Sequence, residues 1–366
     1  MADLCFQGKL AVQQRVLPPY RAAFFDALAS ACEGGLSVFA GEARPGEAIP
    51  SGTLKTAGFV PAHNLHLLRG PLYLCWQDGL PAWLVGWDPD ALIVEANPRY
   101  LATPAAVRWM KRRGRPVLGW GLGAPLLTGP FSAPRRNRRL SFVRQFDVML
   151  TYSRRGAEEY AALGIPADRI FVAPNAAAAR PSWPMPTRSP TFDRKPSILF
   201  VGRLQVRKRV DLLLQACAAL PENLQPQLVI VGDGPERAAL ENLARTVYPS
   251  AEFSGAKHGA DLAPYFSSAD LFVLPGTGGL AVQEAMSYGL PVIMGQGDGT
   301  NDDLVRRDNG WQLPGLGSLP GVLHQALSDV SRLRAMGAES YRIVLQEINL
   351  ENMVDIFISA VNQLVA

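Results

Sequence analysis

Arg203 and Lys208 stand five residues apart in "GRLQVRKRV" (202–210), directly after the apolar run "SILFVG" (197–202). If that run is a buried strand, both cations leave its C-terminal edge, where open α/β sheets bind ligands. Cations beside the N–H groups of an opening helix suit a diphosphate, and each charge-assisted contact contributes about 1.5–3 kcal/mol. The competing reading is an exposed basic helix start, which the helix dipole disfavours. A second turn, "LPGTGG" (274–279), carries Gly276, Gly278 and Gly279, so a ligand can approach its backbone N–H groups directly. Glu284 follows as a lone carboxylate, about a turn and a half into a helix expected over 279–288 and too deep for a cap. A third turn, "VGDGPE" (231–236), has Gly232 and Gly234; alone it requires no more than a tight bend.

Such groups need a scaffold. From 197 onward, apolar runs alternate with amphipathic ones: strands at "SILFVG", "QLVIVG" (227–232), "DLFVLPG" (270–276) and "PVIM" (291–294), helices over 207–220 and 235–247. That alternation predicts parallel βαβ units, and fully apolar strands predict a sheet covered on both faces. The first half repeats the grammar in "LAVQQ" (10–14), "LSVFAG" (36–41), "ALIVEAN" (91–97), "PVLGW" (116–120), "DVMLTY" (147–152) and "RIFVAP" (169–174). At 366 residues, two domains are expected. The fold class is α/β, two doubly wound Rossmann-like domains facing each other across a cleft. The first spans 1–178 and the second 197–349, separated by a linker over 179–196 in the proline-rich stretch that carries five prolines. The amphipathic run "LENMVDIFISAVNQLV" lies in a C-terminal helix over 350–366, expected to pack back across the cleft.

In order, "FVGRLQVRKRVDLLL", "LVIVGDGPE", "FSGA", "YFSSADLFVLPG", "GLAVQEAMSYGLPVI" and "NGWQLP" resemble the C-terminal half of retaining glycosyltransferases of the GT-B fold, family four, of the polysaccharide- and glycolipid-building type. The resemblance covers roughly 197–315. It implies a nucleotide-diphosphate sugar held by the second domain and a saccharide, lipid-linked or small-molecule acceptor held by the first. It also implies a metal-independent transfer with retention, without a cofactor beyond the donor. Arg203 and Lys208 stand where the family's cations hold the donor diphosphate, beside Gly202. Glu284 stands where a glutamate accepts from the ribose hydroxyls. Gly278, Gly279 and Leu280 stand where backbone meets the sugar or the distal phosphate. The family's first glutamate, eight positions earlier, is here Gly276, a loss expected to open space at the donor sugar. The implied mechanism is front-face attack, with the leaving phosphate helping to deprotonate the acceptor. Two other readings stay open: a GT-B sugar-nucleotide epimerase, and a non-catalytic nucleotide-sugar-binding protein.

In the first half, "QQRVLPPYRAAFFDALA" resembles the opening strand, loop and helix of the same family, which makes Arg15, Tyr20 and Arg21 candidates to line the acceptor cleft; Arg21 equally suits the cap of a surface helix. "PVLGWGLG" resembles a segment that often carries histidine where Leu122 stands. Trp76, Trp83 and Trp87 read as core, with a lipid-facing surface as the second reading. "DPD" (88–90) has the D-x-D pattern of metal-dependent transferases but precedes a strand as a turn would, and His63, His66, His258 and His324 lack metal-ligand spacing, so no metal is expected.

Composition narrows the setting. Hydrophobic residues at 48% and charged residues at 19% are those of a globular chain, and Cys5, Cys32, Cys75 and Cys217 form no C-x-x-C pair, which fits a reducing, cytoplasmic compartment. No uninterrupted apolar run is long enough to span a membrane. Residues 1–180 hold 21 Lys and Arg against 13 Asp and Glu, and residues 181–366 hold 15 against 19, so the halves carry +8 and −4. Much of the excess lies in "MKRRGRP" (110–116) and "APRRNRRLSFVRQF" (133–146), expected to form one patch. Such a patch suits either a solvated helix face or peripheral contact with the anionic inner face of a membrane; no nucleic-acid module accompanies it.

Overall fold

The computed structural model describes residues 4–365 apart from 45, 48, 130, 131, 296 and 298–302. The chain divides into two compact units, Met1–Ala177 with Leu350–Ala366, and Ala178–Asn349.

The first unit is built on β1 (Leu10–Val16), β2 (Leu36–Gly41), β3 (Gly58–Leu67), β4 (Leu74–Asp78), β5 (Ala91–Glu95), β6 (Val117–Gly121), β7 (Val148–Thr151) and β8 (Ile170–Val172). Their order is β4-β3-β2-β1-β5-β6-β7-β8, parallel throughout except for the β3–β4 pair. The second unit holds β9 (Ser197–Val201), β10 (Gln227–Val231), β11 (Glu252–Gly255), β12 (Leu271–Leu274), β13 (Val292–Met294) and β14 (Gly310–Gln312), ordered β11-β10-β9-β12-β13-β14. Each sheet grows outward in one direction, then restarts beside its first strand, so β1 lies between β2 and β5, and β9 between β10 and β12. Crossovers leave opposite faces at that point, and a crevice opens at the strands' C-terminal ends.

Two strands of the first unit escape the sequence pattern. β3 alternates exposed and half-buried positions along GFVPAHNLHL, and β4 pairs with it antiparallel. A search for continuous apolar runs finds only strands buried on both faces, and these two are not. Trp83 is core, stacked on Phe39 and donating from Nε1 to Ser37 Oγ at 2.9 Å, whereas Trp76 on β4 is 39% exposed.

The C-terminal helix Leu350–Val365 packs into the first unit. Leu350, Met353, Val354, Phe357, Ile358 and Val361 recur at helical spacing and are buried with Phe24, Phe25, Leu28 and Trp120. Burying each large apolar side chain stabilises the unit by about 1.5–3 kcal/mol. The Phe357 ring meets both Phe24 and Trp120 edge-on at 4.9 Å, and this aromatic wall supports the end of β6.

Two helices start later than expected. The run after β9 makes a 3-10 turn at Val206–Lys208, then Arg209 with φ 54°, and only then the helix Val210–Ala218. The three cations therefore precede the helix rather than burden its first turn, and the dipole objection to them falls away. The other helix is Ala281–Ser287, so Glu284 lies in its first turn rather than deeper.

The two basic runs do not make one uniform patch. Lys111 and Arg115 are ion-paired, to Asp147 and Asp88 respectively, while Arg135, Arg136 and Arg138 on the helix Ser132–Val143 are exposed. Asp88 is thereby committed, and Asp90 accepts from Lys9 N at 2.8 Å. The D-x-D residues thus serve a turn at the N-terminal edge of β5, opposite the crevice.

Candidate functional site

At the β9–β12 switch point of the second unit lies a cavity of about 520 Å³. Arg203 and Gly202 reach it from the end of β9, Gly232 and Gly234 from the turn after β10, and Ala281 and Glu284 from the helix after β12. Arg203 is exposed. Among the described residues nothing donates to the half-buried Glu284 carboxylate, and burial alone raises its pKa. An acceptor held in a crevice without a donor is ready for one from a ligand.

Lys208 is placed differently. It is buried, and its ammonium donates to Thr277 O at 2.9 Å and Gly278 O at 2.8 Å rather than lining the cavity. Two backbone bonds run alongside, Gly276 N to Lys208 O and Thr277 N to Arg207 O, both 3.1 Å. In a trans peptide the C=O of one residue and the N–H of the next point in opposite directions. By drawing the carbonyls of 277 and 278 inward, Lys208 turns the N–H groups of Gly278 and Gly279 outward. Those two, with Leu280 N–H, have no acceptor among the described residues. Gly278 holds φ 65°, a left-handed conformation that favours glycine. The clamp keeps two of these donors turned away from the lysine, beside a buried positive charge.

Gly276 is not an opened position. A Cβ there would lie 2.0 Å from Arg207 O and 2.5 Å from Lys208 Cα. The expectation that a missing side chain leaves room for a ligand is therefore corrected: backbone fills the room, and the 276–277 segment packs directly on the lysine turn.

Three further polar residues line the same cavity and were not read from the sequence as donor-binding. Lys257 and His258 follow β11, and Asp233 lies between the two glycines after β10. The signal for them was positional only, since each follows a strand at its C-terminal end. Asp233 Oδ1 is engaged by Gly234 N at 2.7 Å, leaving Lys257 as a second cation facing the cavity.

The remaining candidates sit at the β1–β5 switch point of the first unit. Arg15 pairs with Glu47 at 2.8 Å, and two arginines hold that carboxyl down at about 2 against the cost of burial. Tyr20 is 42% exposed. Arg21 is 4% exposed, its guanidinium carbon 4.9 Å from the Trp120 ring and 5.2 Å from that of Tyr152. Arg21 is the N-cap residue of the helix Ala22–Ser30, but its side chain makes no capping bond; it is packed into an aromatic wall. Leu122 is exposed just beyond β6.

Residues 195–328 match the family model described as Glycosyl transferases group 1. A GDP-mannose-dependent alpha-mannosyltransferase of Mycobacterium tuberculosis is 33% identical over 252 residues, 63% of this chain and 62% of the relative. The match thus spans less than two thirds of that enzyme. The lipopolysaccharide core biosynthesis glycosyltransferase LpsE of Rhizobium meliloti is 24% identical over 75% of this chain and 86% of its own. Among solved structures, Anabaena HepE in complex with UDP superimposes with TM-score 0.66 at 16% identity, covering 98% of both chains. The chain has the fold of the GT-B glycosyltransferases, two α/β units with parallel, Rossmann-like sheets.

Proposed function

We propose that this chain is a retaining, metal-independent glycosyltransferase of GT-B family four. It moves a sugar from a nucleotide-diphosphate donor to a saccharide, lipid-linked or small-molecule acceptor. The observation that carries the proposal is the cavity at the β9–β12 switch point, where Arg203 meets Glu284, which has no donor among the described residues. A ribose supplies the hydroxyl donors that Glu284 lacks, and a diphosphate supplies the negative charge that suits Arg203 and the N–H groups of Gly278, Gly279 and Leu280. The relatives add weight, one being named as GDP-mannose-dependent and one solved with UDP.

As the bond from the anomeric carbon to the diphosphate breaks, charge accumulates on the leaving oxygens. Donors already fixed toward that position stabilise the transition state more than the ground state. In this reading Arg203 acts directly, while Lys208 orients the loop N–H groups and adds its charge behind them. The positive charge a metal would otherwise supply comes from these groups. Gly276, standing at the family's first glutamate, leaves recognition of the donor sugar to backbone. The exposed Arg135, Arg136 and Arg138 favour peripheral contact with an anionic membrane face, at about 1 kcal/mol per cation.

The test is a thermal-shift screen over nucleotide sugars, followed by transfer assays on the hits. A ligand at about 100 times its Kd stabilises the folded chain by roughly 2.7 kcal/mol. Arg203→Ala is expected to lower turnover at least about a hundredfold. Absence of any nucleotide-dependent shift, or full activity in that variant, refutes the reading.

A further inference from the structure

The first unit has a switch-point crevice of its own, and its polar groups are left in an unusual state. β1 breaks register with β2 between Gln14 and Val16, so the strand bulges at Arg15. Bulges re-aim groups at strand ends and recur beside functional sites. The freed Arg15 N–H donates to Glu95 Oε2 at 2.5 Å, across the junction between β1 and the last residue of β5. That is the one hydrogen bond the Glu95 carboxylate receives among the described residues. The side chain is half-buried at the C-terminal end of β5, beside the switch point.

Around it stand donors that are poorly served among the described residues. Arg21 is more than nine-tenths buried, yet among the described residues the one polar contact of its guanidinium is Met353 Sδ at 4.0 Å. It senses Glu95 electrostatically but forms no ion pair with it. The buried Trp120 indole N–H, packed against that guanidinium, has no partner, and neither does the Tyr152 hydroxyl beside it among the described residues. Unspent buried donors of this kind call for a ligand.

We infer that this crevice binds a hydroxyl group of a polyhydroxylated acceptor, which accepts a hydrogen bond from Arg21 and donates one to Glu95. A phosphate or carboxylate would meet the Glu95 charge, and an ammonium would meet Arg21. A hydroxyl both accepts and donates, so it satisfies the two at once. The inference deepens the proposed transferase and rests on that reading for its place in the reaction. The hydroxyl belongs either to a saccharide or to the polyol headgroup of a lipid.

Burial holds the Glu95 pKa up at about 7, opposed by Arg15 N–H and by the charges of Arg15 and Arg21; Tyr100, Tyr152 and Cys75 also face it. The ionised carboxylate is the stronger acceptor, so acceptor affinity should rise with pH through neutrality.

The experiment is calorimetric titration of the full chain with methyl hexosides and, separately, with myo-inositol, at about pH 6 and about pH 8. Wild type should bind at least one probe, several-fold more tightly at the higher pH. A hexoside response points to a saccharide source and an inositol response to a lipid headgroup. Glu95→Gln keeps an oxygen for Arg15 N–H; it should weaken binding about tenfold and flatten the pH dependence, with nucleotide binding unchanged. Failure of every probe, or equal binding by Glu95→Gln, overturns the inference. If that variant does not fold, a wild-type affinity that is level across the two pH values overturns it as well. Loss of nucleotide binding by the wild type sinks the proposed function instead, so the two failures are distinguishable.

Discussion

Each switch point holds a carboxylate raised by burial, Glu95 at the end of β5 and Glu284 in the helix after β12, but the two keep different company. Glu95 holds an amide hydrogen bond and has two guanidinium groups nearby, whereas Glu284 has no donor and no cation that shifts it among the described residues. The strands at the first crevice are joined by side chains: Glu95 catches Arg15 N–H, and Arg15 is tied to Glu47. The second crevice is built from backbone, with glycines after β9, β10 and β12 letting main chain approach main chain. A backbone-lined site presents the same N–H groups whatever the side chains, which suits an invariant diphosphate. A site lined by side chains can change with its ligand, which suits a variable acceptor. Under the proposed function, the difference gives the donor's constant diphosphate to one unit and the variable acceptor to the other.

The most damaging way to break this contrast is to put a side chain where backbone meets backbone. Gly276→Ala places a Cβ 2.0 Å from Arg207 O, with no flexible group able to yield. The expected cost is about 3 kcal/mol or more, together with loss of nucleotide binding as the loop N–H groups swing away. Gly315→Ala is the control, because nothing lies within 4 Å of its Cβ position. Urea denaturation reads both. A Gly276→Ala chain as stable as wild type would mean that the turn is not seated as described. Gly276→Glu is accordingly expected to disrupt the turn rather than merely retune donor preference.

A smaller effect probes the side-chain-built half. Arginines hold the Glu47 carboxyl at about 2, below its ordinary value of 4.5. Its contribution to stability is therefore complete above about pH 4.5 and lost as pH falls from there toward 2. Glu47→Gln should cost about 1–2 kcal/mol near neutrality, since the pair is partly screened, and nothing near pH 2. Acid-unfolding curves that stay parallel down to low pH would show that the Arg15–Glu47 pair does not hold the crevice.

How far the sequence carried this picture depends on what each feature rests on. Short, mostly apolar runs announced β1, β2, β5 and β9 because strands buried on both faces have no polar alternation to conceal them. β3 and β4 stayed hidden for the converse reason, as partly exposed strands interrupted by His63, Asn64 and Pro61. Arg203 and Glu284 were legible because their distances from strand ends place them at the crevice. Lys208 was legible as a cation but not as a clamp, since no spacing rule says that an ammonium will choose carbonyls 69 and 70 residues away. Glu95 was overlooked inside "ALIVEAN", where it reads as a polar strand terminus. Its meaning comes from the bulge at Arg15 and the buried Arg21, both tertiary facts.

The finest test compares the two carboxylates directly. Glu95 ionises at about 7 in the folded chain and at its ordinary 4.5 when unfolded, so the native state binds the proton more tightly. Stability conferred by that proton is present at low pH and declines as pH rises from about 4.5 to 7, after which the ionised group remains a fixed burden. Glu95→Gln removes the burden. It should unfold at a higher temperature than wild type at about pH 8 and at the same temperature near pH 4, a gap on the order of 1 kcal/mol given the partial opening to solvent. Glu284→Gln should behave in the same direction, because burial raises that group too. Added nucleotide should separate them: hydroxyl donors from a ribose offset the Glu284 burden in the wild type and leave the Glu95 burden untouched. If nucleotide closed the gap for Glu95→Gln instead, the assignment of constant and adjustable halves would have to be reversed. A variant less stable than wild type at high pH would show that the carboxylate is a structural anchor rather than a group held at a cost for its ligand.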